Sequence, residues 1–214
     1  VVANFCPSGG VAIDVGANFG EWSLQMARAV GQTGQVFAFE PSAEIAEALL
    51  KTLRVNGQKQ TTVIEAAVSS RAGDAEFTVN EAHSGKSAID IGNPDDASNK
   101  VTVKTISLDD FARQQPLSRV DLIKIDVEGH EADVLEGAEN VLETFAPAIV
   151  LEAGVNPDHD RGKVKDILER HRYMMAGAIS PHGIIETTWN DYLCLSGLFA
   201  SGFVNILLIS AQDD

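Results

Sequence analysis

The sequence has little cysteine and no long apolar run. Its 214 residues include two cysteines, Cys6 and Cys194, which are too few for a disulfide framework and have no metal-ligand spacing. Free thiols are typical of a reducing compartment, so we expect a cytoplasmic protein. Gly, Glu or Asp interrupts the apolar stretches well short of a membrane span, and no basic segment followed by an apolar core opens the chain. Neither a membrane-spanning protein nor a signal peptide is therefore expected.

Positive charge is also scarce. The chain has 16 Lys and Arg against 31 Asp and Glu, a formal net charge of −15, and no local basic stripe. A surface this acidic repels phosphate backbones, so a nucleic-acid partner is not expected and a small-molecule substrate is favoured. The hydrophobic content of 44% and charged content of 22% are ordinary for a globular domain, and the length suits one domain spanning residues 1–214.

Short apolar runs alternate along the chain with segments of helical period, which predicts an α/β protein. The predicted strands are, in chain order, Val11–Asp14, Gln35–Glu40, Thr61–Val68, Val120–Asp126, Ala148–Ala153, Tyr173–Ile179 and Asn205–Ser210. Tyr192–Leu195 competes with the last of these for its place in the sheet. Such alternation favours a mostly parallel sheet covered by helices on both faces, with ligands beyond the carboxyl ends of the strands.

The alternation lapses over about residues 74–106. Ala75–Val79 and Val101–Ile106 are predicted strands, joined by a polar stretch rich in turn residues. We interpret this region as an inserted β-hairpin with a long loop. Loops of that length in compact domains are often lids or substrate contacts, so we expect this one to cover the site.

The turn after the first predicted strand has the pattern Asp14-x-Gly16-x-Asn18-x-Gly20. The two glycines permit a sharp bend and a close approach of the backbone to a ligand. Asn18 stands where a dinucleotide-binding turn needs its second glycine, and Glu21 stands where a phosphate-binding loop needs lysine. An acid beside the turn suits a cationic amine better than a pyrophosphate, and the methionine part of S-adenosylmethionine offers such a cation.

A second acid ends the next strand. Glu40 follows Gly20 by 20 residues, and Pro41 stops the strand. A carboxylate in this position accepts hydrogen bonds from ribose hydroxyls in nucleoside-binding sheets, although a solvated acid at a strand end is the simpler alternative. The turn and the acid together predict a nucleoside site.

The third cluster closes the fourth predicted strand and runs from Lys124 to Glu131. It places Asp126, Glu128 and His130 at the carboxyl edge of the sheet. His130 is a candidate general base for an acceptor hydroxyl, because imidazole titrates near neutrality, and Glu128 could orient the acceptor or share that role. Two carboxylates and a histidine could also hold a divalent metal, which we do not predict, or begin a helix with favourable acids in its first turn.

Weaker candidates lie elsewhere along the chain. Glu152 ends the fifth predicted strand and either lines the acceptor side or is solvated. In the inserted loop, His83, Ser84 and Lys86 are candidate substrate contacts.

The motifs, taken in order, resemble the FkbM family of methyltransferases from about Val11 to Glu152. The matching segments are Asp14–Gly20, Phe39–Pro41, Ala66–Ser69, Ser107–Asp110, Lys124–Glu131 and Val134–Ala138. The Lys-Ile-Asp-Val-Glu-Gly block is the most distinctive of them, and the C-terminal third matches only in outline.

The resemblance implies a class I methyltransferase fold, which is Rossmann-like, with a seven-stranded sheet whose last strand is antiparallel. It also implies S-adenosylmethionine as methyl donor and, commonly, a hydroxyl oxygen of a sugar or secondary metabolite as acceptor. Carried over by position, the cofactor-binding residues would be Asp14, Gly16, Asn18 and Gly20 at the methionine end, Glu40 at the ribose, and Asp126 between cofactor and acceptor. The acceptor residues do not transfer, because members of the family methylate different molecules.

Two alternatives remain open on the sequence. A nicotinamide-dependent oxidoreductase would bind NAD tightly, and the missing second glycine of the turn counts against it. A non-catalytic module would keep the nucleoside pocket and methylate nothing, and the intact strand-end acids argue against it.

Overall fold

The structure is a computed structural model that describes residues 2–78, 88–89, 100–154, 160–194 and 203–211. Its helices are α1 Val2–Phe5, α2 Glu21–Val30, α3 Ala43–Val55, α4 Leu108–Gln114, α5 Glu131–Glu136, α6 Glu139–Phe145, α7 Arg161–Arg170 and α8 Trp189–Cys194. Its strands are β1 Val11–Val15, β2 Gln35–Phe39, β3 Thr61–Ile64, β4 Ala67–Val68, β5 Gly73–Thr78, β6 Ala88–Ile89, β7 Lys100–Ile106, β8 Leu122–Ile125, β9 Ala148–Ala153, β10 Tyr173–Ser180, β11 Gly183–Ile185 and β12 Val204–Ser210.

The main sheet has eight strands in the order β11-β10-β12-β9-β8-β1-β2-β3. From β3 to β9 the strands are parallel, and β12 runs antiparallel between β9 and β10. The predicted mostly parallel sheet with an antiparallel last strand is therefore confirmed. The eighth strand, β11, adds an edge to the predicted seven by turning back antiparallel to β10.

The C-terminal ambiguity is resolved in favour of the later segment. Val204–Ser210 forms β12, whereas Tyr192 lies in helix α8 and packs edge to face on Trp189 with ring centroids 5.8 Å apart. The apolar run in β12 suits a strand that is buried between two neighbours, because both of its faces are covered.

The central strands are apolar because helices cover both faces of the sheet. All five residues of β1 and all four of β8 are buried. One face packs Ile13 and Ile125 against α4 to α7, and the other packs Ala12 and Leu122 against α1 and α2. None of the helices in the described part of the chain is long and apolar enough to cross a membrane.

A second sheet of four strands, in the order β4-β7-β5-β6, contains the predicted hairpin. Gly73–Thr78 pairs antiparallel with Lys100–Ile106, which confirms the inserted hairpin. The loop expected to cover the site, with His83, Ser84 and Lys86, lies outside the described residues.

One predicted strand is divided. Thr61–Val68 breaks after Ile64, where the Ala66 amide donates to the Ile64 carbonyl in a tight turn. The first part, β3, stays in the main sheet, and the second, β4, pairs with β7 of the other sheet. The prediction of a single strand was wrong because the local sequence does not reveal a change of partner strand.

The helix predicted after the fourth strand is also divided, into α5 and α6. The break occurs at Gly137, where a Cβ atom would lie 2.1 Å from the Ser69 carbonyl oxygen. The predicted inward residues are nevertheless buried, namely Val134, Leu135, Ala138, Val141 and Leu142.

Candidate active site

The order in which the chain adds strands reverses between β1 and β8. From β1 the chain proceeds through β2 and β3 on one side, and later through β8 and β9 on the other. Ligands of parallel α/β sheets bind at this switch point, beyond the carboxyl ends of the strands. Four acids lie at or beside this edge: Asp14 on β1, Glu40 after β2, Asp126 after β8 and Glu152 on β9.

The turn after β1 is held against the neighbouring strands by its backbone. The amides of Gly16 and Ala17 both donate to the Phe39 carbonyl, at 3.1 and 2.9 Å. Gly16 has φ 75°, and a Cβ atom there would lie 1.9 Å from the Asp126 carbonyl oxygen. Gly20 has φ 94°, and a Cβ atom there would lie 2.5 Å from Leu49. Both glycines therefore allow the left-handed backbone of the turn and its close packing against Asp126 and Leu49, where a side chain would clash.

Glu40 joins the two strand ends. Its Oε2 accepts from the Asn18 amide at 3.0 Å, and its Oε1 accepts from the Ser42 amide at 2.9 Å. The side chain is nearly buried, and burial raises the pKa of this carboxyl although the two amides oppose the shift. Each carboxylate oxygen has a second lone pair, so Glu40 retains the capacity to accept hydroxyl hydrogen bonds.

Asp14 is completely buried beneath the turn. The Ser23 hydroxyl, on α2, donates to its Oδ2 at 2.5 Å, while its Oδ1 has no hydrogen-bond partner. Burial is the main cause that raises the pKa of Asp14, and the positive charge of Lys124 opposes it. Asn18 Oδ1 is likewise buried without a partner. Unsatisfied buried acceptors are costly, and a donor-bearing ligand would relieve that cost.

A buried lysine links the turn to β8. Lys124 lies directly opposite Asp14 in the β1/β8 register, and its side chain is 3% exposed. Its Nζ donates to Asp126 Oδ2 at 2.8 Å and to the Gly16 carbonyl at 3.4 Å. No role for this lysine is visible in the local sequence, because its burial depends on strands that are distant in sequence.

Three carboxylates meet beyond β8 and β9. Asp126, Glu128 and Glu152 each offer an oxygen within 4.8 Å of the others, and all three side chains are half-buried. Burial, together with the negative charge of Asp126 and a hydrogen bond to it, raises the pKa of Glu152 to about 8. A cation is what such a group of carboxylates attracts. The cluster of acids is by itself no sign of a bound metal.

His130 is not part of that trio and contacts protein on both sides of its ring. Its Nε2 shares a hydrogen bond of 3.0 Å with Ser69 Oγ, and its Nδ1 lies 3.3 Å from Asp133 Oδ2 without hydrogen-bond alignment. Burial lowers the pKa of His130, and the nearby carboxylate of Asp133 partly opposes that shift. The ring is therefore favoured in its neutral form.

The structure thus brings most of the predicted residues together. Asp14, Gly16, Asn18, Gly20 and Glu40 surround one turn, and Asp126 adjoins it through Lys124. Of the two predicted catalytic residues, Glu128 joins Asp126, whereas His130 pairs with the second sheet.

Sequence reasoning missed the role of Ser23 as partner of Asp14 and understated Glu152. Ser23 gave no signal beyond its position on α2. For Glu152, the signal was an acid interrupting an apolar strand.

An eight-stranded, mostly parallel sheet with two antiparallel strands, β12 and β11, and acids at the switch point defines a class I methyltransferase fold. The chain belongs to a particular family within that class: the Methyltransferase FkbM domain matches residues 14–175. The resemblance stated from the sequence is confirmed.

Known relatives agree with this assignment. The hexuronic acid methyltransferase AglP of Haloferax volcanii is 32% identical over 148 residues, covering 67% of this chain and 56% of AglP. The crystal structure of methyltransferase FkbM from Methylobacillus flagellatus has a TM-score of 0.59 and 19% identity, over 94% of this chain and 44% of that one. This chain therefore spans about half the length of these two relatives.

A third similar structure is Aeropyrum pernix fibrillarin, which was solved with bound S-adenosylmethionine. Its TM-score is 0.55 at 11% identity, and the match covers 96% of this chain and 68% of fibrillarin. At this identity the likeness concerns the fold alone.

Proposed function

We propose that this protein transfers the methyl group of S-adenosylmethionine to a hydroxyl oxygen of a small molecule, a sugar or a secondary metabolite. The observation that carries the proposal is the convergence of Asp14, Glu40 and Asp126 on the turn after β1, in a chain of the FkbM family. The similarity to AglP, a hexuronic acid methyltransferase, supports a sugar acceptor. The net charge of −15 supports a partner other than nucleic acid.

The residues present fit this cofactor. Asp14 Oδ1 and Asn18 Oδ1 are buried acceptors without partners in the described part of the chain, and the amino group of a methionine moiety is a cationic donor. Glu40 is anchored by two amides and keeps free lone pairs for ribose hydroxyls. We therefore assign Asp14, Gly16, Asn18 and Gly20 to the methionine end, Glu40 to the ribose, and Asp126 to the boundary with the acceptor.

The bound cofactor supplies a methyl group that is already activated by its sulfonium charge. The chain then has two tasks, which are to align the acceptor oxygen and to accept its proton. We propose Glu128 and His130 for the second task. Glu128 lies beside Asp126 at the strand edge, and the neutral ring of His130 is in the protonation state that a base needs. For His130 this role requires the ring to exchange its Ser69 hydrogen bond for one to the acceptor.

The test is a calorimetric titration of S-adenosylmethionine, S-adenosylhomocysteine and NAD into the wild-type protein and Glu40→Ala. We expect both sulfur nucleosides to bind, NAD to bind at least tenfold more weakly, and Glu40→Ala to weaken both nucleosides by about tenfold or more. Glu47→Ala, on the exposed side of α3, is the control and should bind like the wild type.

Failure of both sulfur nucleosides to bind would refute the proposal, and tight NAD binding would favour an oxidoreductase. Binding followed by no methyl transfer to any of a panel of hydroxylated sugars would favour a non-catalytic module. Loss of transfer in both Glu128→Gln and His130→Ala is expected, and full transfer by both would remove them as bases.

A further inference from the structure

The register of the sheet places a chain of polar groups on one face of β8, β9 and β12. Lys124 lies opposite Val150, so the residues two positions further on, Asp126 and Glu152, are neighbours at the strand ends. Asn205 lies directly opposite Glu152 in the β9/β12 register. This face of the sheet is apolar in the middle of the strands and becomes strongly polar at their carboxyl ends.

In the part of the chain that the structure describes, positive charge does not balance the negative charge of this edge. Asp126, Glu128 and Glu152 lie within 4.8 Å of one another, and Asp14 is close enough for the charges of Asp126 and Lys124 to act on its pKa. Lys124 contacts this group of acids through its ion pair with Asp126. Carboxylates at such separations repel one another strongly in a partly buried setting, so the edge favours an additional positive charge.

Two buried atoms indicate that a ligand with hydrogen-bond donors lies at this edge. Asp14 Oδ1 is completely buried without a partner, on the strand next to Lys124. Asn205 Oδ1, across from Glu152, is also buried and unpartnered. Buried oxygens of this kind are normally satisfied by donors, and these two lie on opposite sides of the carboxylates. Surface acids, by contrast, would be satisfied by solvent.

Resting on the proposed use of S-adenosylmethionine, we propose that Glu152, with Asp126 and Glu128, distinguishes the cationic cofactor from its neutral product. S-adenosylmethionine and S-adenosylhomocysteine differ by one methyl group and one positive charge, the sulfonium charge that methyl transfer removes. The carboxylates attract the sulfonium and lose that attraction when the thioether forms. Glu152 thereby determines specificity for S-adenosylmethionine over S-adenosylhomocysteine. This preference favours replacement of the bound product by fresh S-adenosylmethionine.

Calorimetry without any acceptor tests this inference, at about pH 8.5 so that most of the Glu152 side chain is ionised. We expect the wild type to bind S-adenosylmethionine about tenfold more tightly than S-adenosylhomocysteine, a ratio that one favourable charge interaction can supply. Glu152→Gln should weaken S-adenosylmethionine binding by about three- to tenfold and change S-adenosylhomocysteine binding by less than about twofold. Glu143→Gln, an isosteric change on the exposed side of α6, is the matched control and should leave both affinities unchanged.

The split between the two ligands separates charge recognition from a structural effect. Equal weakening of both ligands by Glu152→Gln, or a wild-type ratio of one or below, would overturn the inference while leaving the proposed function intact. Failure of the wild type to bind either ligand would refute the proposed function itself. If Glu152→Gln does not fold, Glu128→Gln is expected to reduce the ratio in the same direction.

A separate titration with divalent metal ions completes the test. MgCl₂ and MnCl₂ are titrated separately into protein first treated with EDTA, and no saturable binding is expected. Saturable binding that Glu152→Gln abolishes would overturn the inference, because a metal ion would then neutralise the three carboxylates in place of the sulfonium.

Discussion

The ammonium of Lys124 lies 2.8 Å from Oδ2 of Asp126, with the lysine side chain 3% exposed and the aspartate 28% exposed. This ion pair joins the strand that ends at the acceptor side to the turn that we assign to the cofactor, because the same ammonium also contacts the Gly16 carbonyl. A buried ion pair of this kind is costly to break by removing one partner, since the other charge is left uncompensated.

Replacing Lys124 with Met should therefore lower the free energy of unfolding by about 3–5 kcal/mol, as measured by urea denaturation. Lys163→Met is the control, because Lys163 pairs with Glu136 at a half-exposed surface site and its loss should cost less than about 1 kcal/mol. Similar losses for the two variants would contradict the importance given to the buried pair.

Gly16→Ala tests the close packing of the turn on β8. The new methyl group would meet the Asp126 carbonyl at 1.9 Å, so we expect a loss of about 3 kcal/mol or more in unfolding free energy together with weaker S-adenosylmethionine binding. Gly57→Ala is a matched control: its φ of 68° is similarly left-handed, but nothing lies within 4 Å. It should cost only about 1 kcal/mol, and an equal cost at both positions would show that backbone conformation alone decides.

The contact between Ser69 and His130 should be measurable as coupling. A double-mutant cycle with Ser69→Ala and His130→Ala is expected to give an interaction energy of about 1 kcal/mol in unfolding free energy, the size of one hydrogen bond. The same cycle with the exposed His182 in place of His130 should give a value near zero. A coupling near zero for the first pair would indicate that the ring is already free of Ser69.

Glu152 should make stability fall as the pH rises. Its pKa in the folded protein is about 8, above the ordinary value of 4.5, so between these values the folded state holds more protons than the unfolded state. Its contribution is fully present below pH 4.5 and is lost as the pH approaches 8. Allowing for its partial exposure, we expect Glu152→Gln to gain about 1–2 kcal/mol relative to the wild type between pH 5 and pH 8. Urea denaturation at several pH values measures this difference, and a constant difference would contradict the assignment.

Local patterns predicted much of the architecture. The strands that became β1, β2, β9 and β12 were predicted to within about two residues at each end, because burial between neighbours leaves a continuous apolar run. The acids of the predicted cofactor site were found for a related reason, since they interrupt the apolar pattern where each strand stops. The inserted hairpin was predicted from the loss of helical periodicity between its strands.

Other features depended on which strands become neighbours. Thr61–Val68 is predicted as one strand, yet its two ends pair in different sheets. Ser69 and His130 are 61 residues apart, and nothing in either local sequence reveals their contact.

The sequence alone determined the α/β class, the family and the acids that end the strands, because these follow from periodicity and from short contiguous motifs. Only the tertiary structure decided that Lys124 is buried among those acids and that Glu152 adjoins Asp126. It also decided that His130 contacts Ser69. The physical reason is that a parallel sheet brings together strands separated by long crossovers, and burial, charge compensation and pKa all depend on those neighbours.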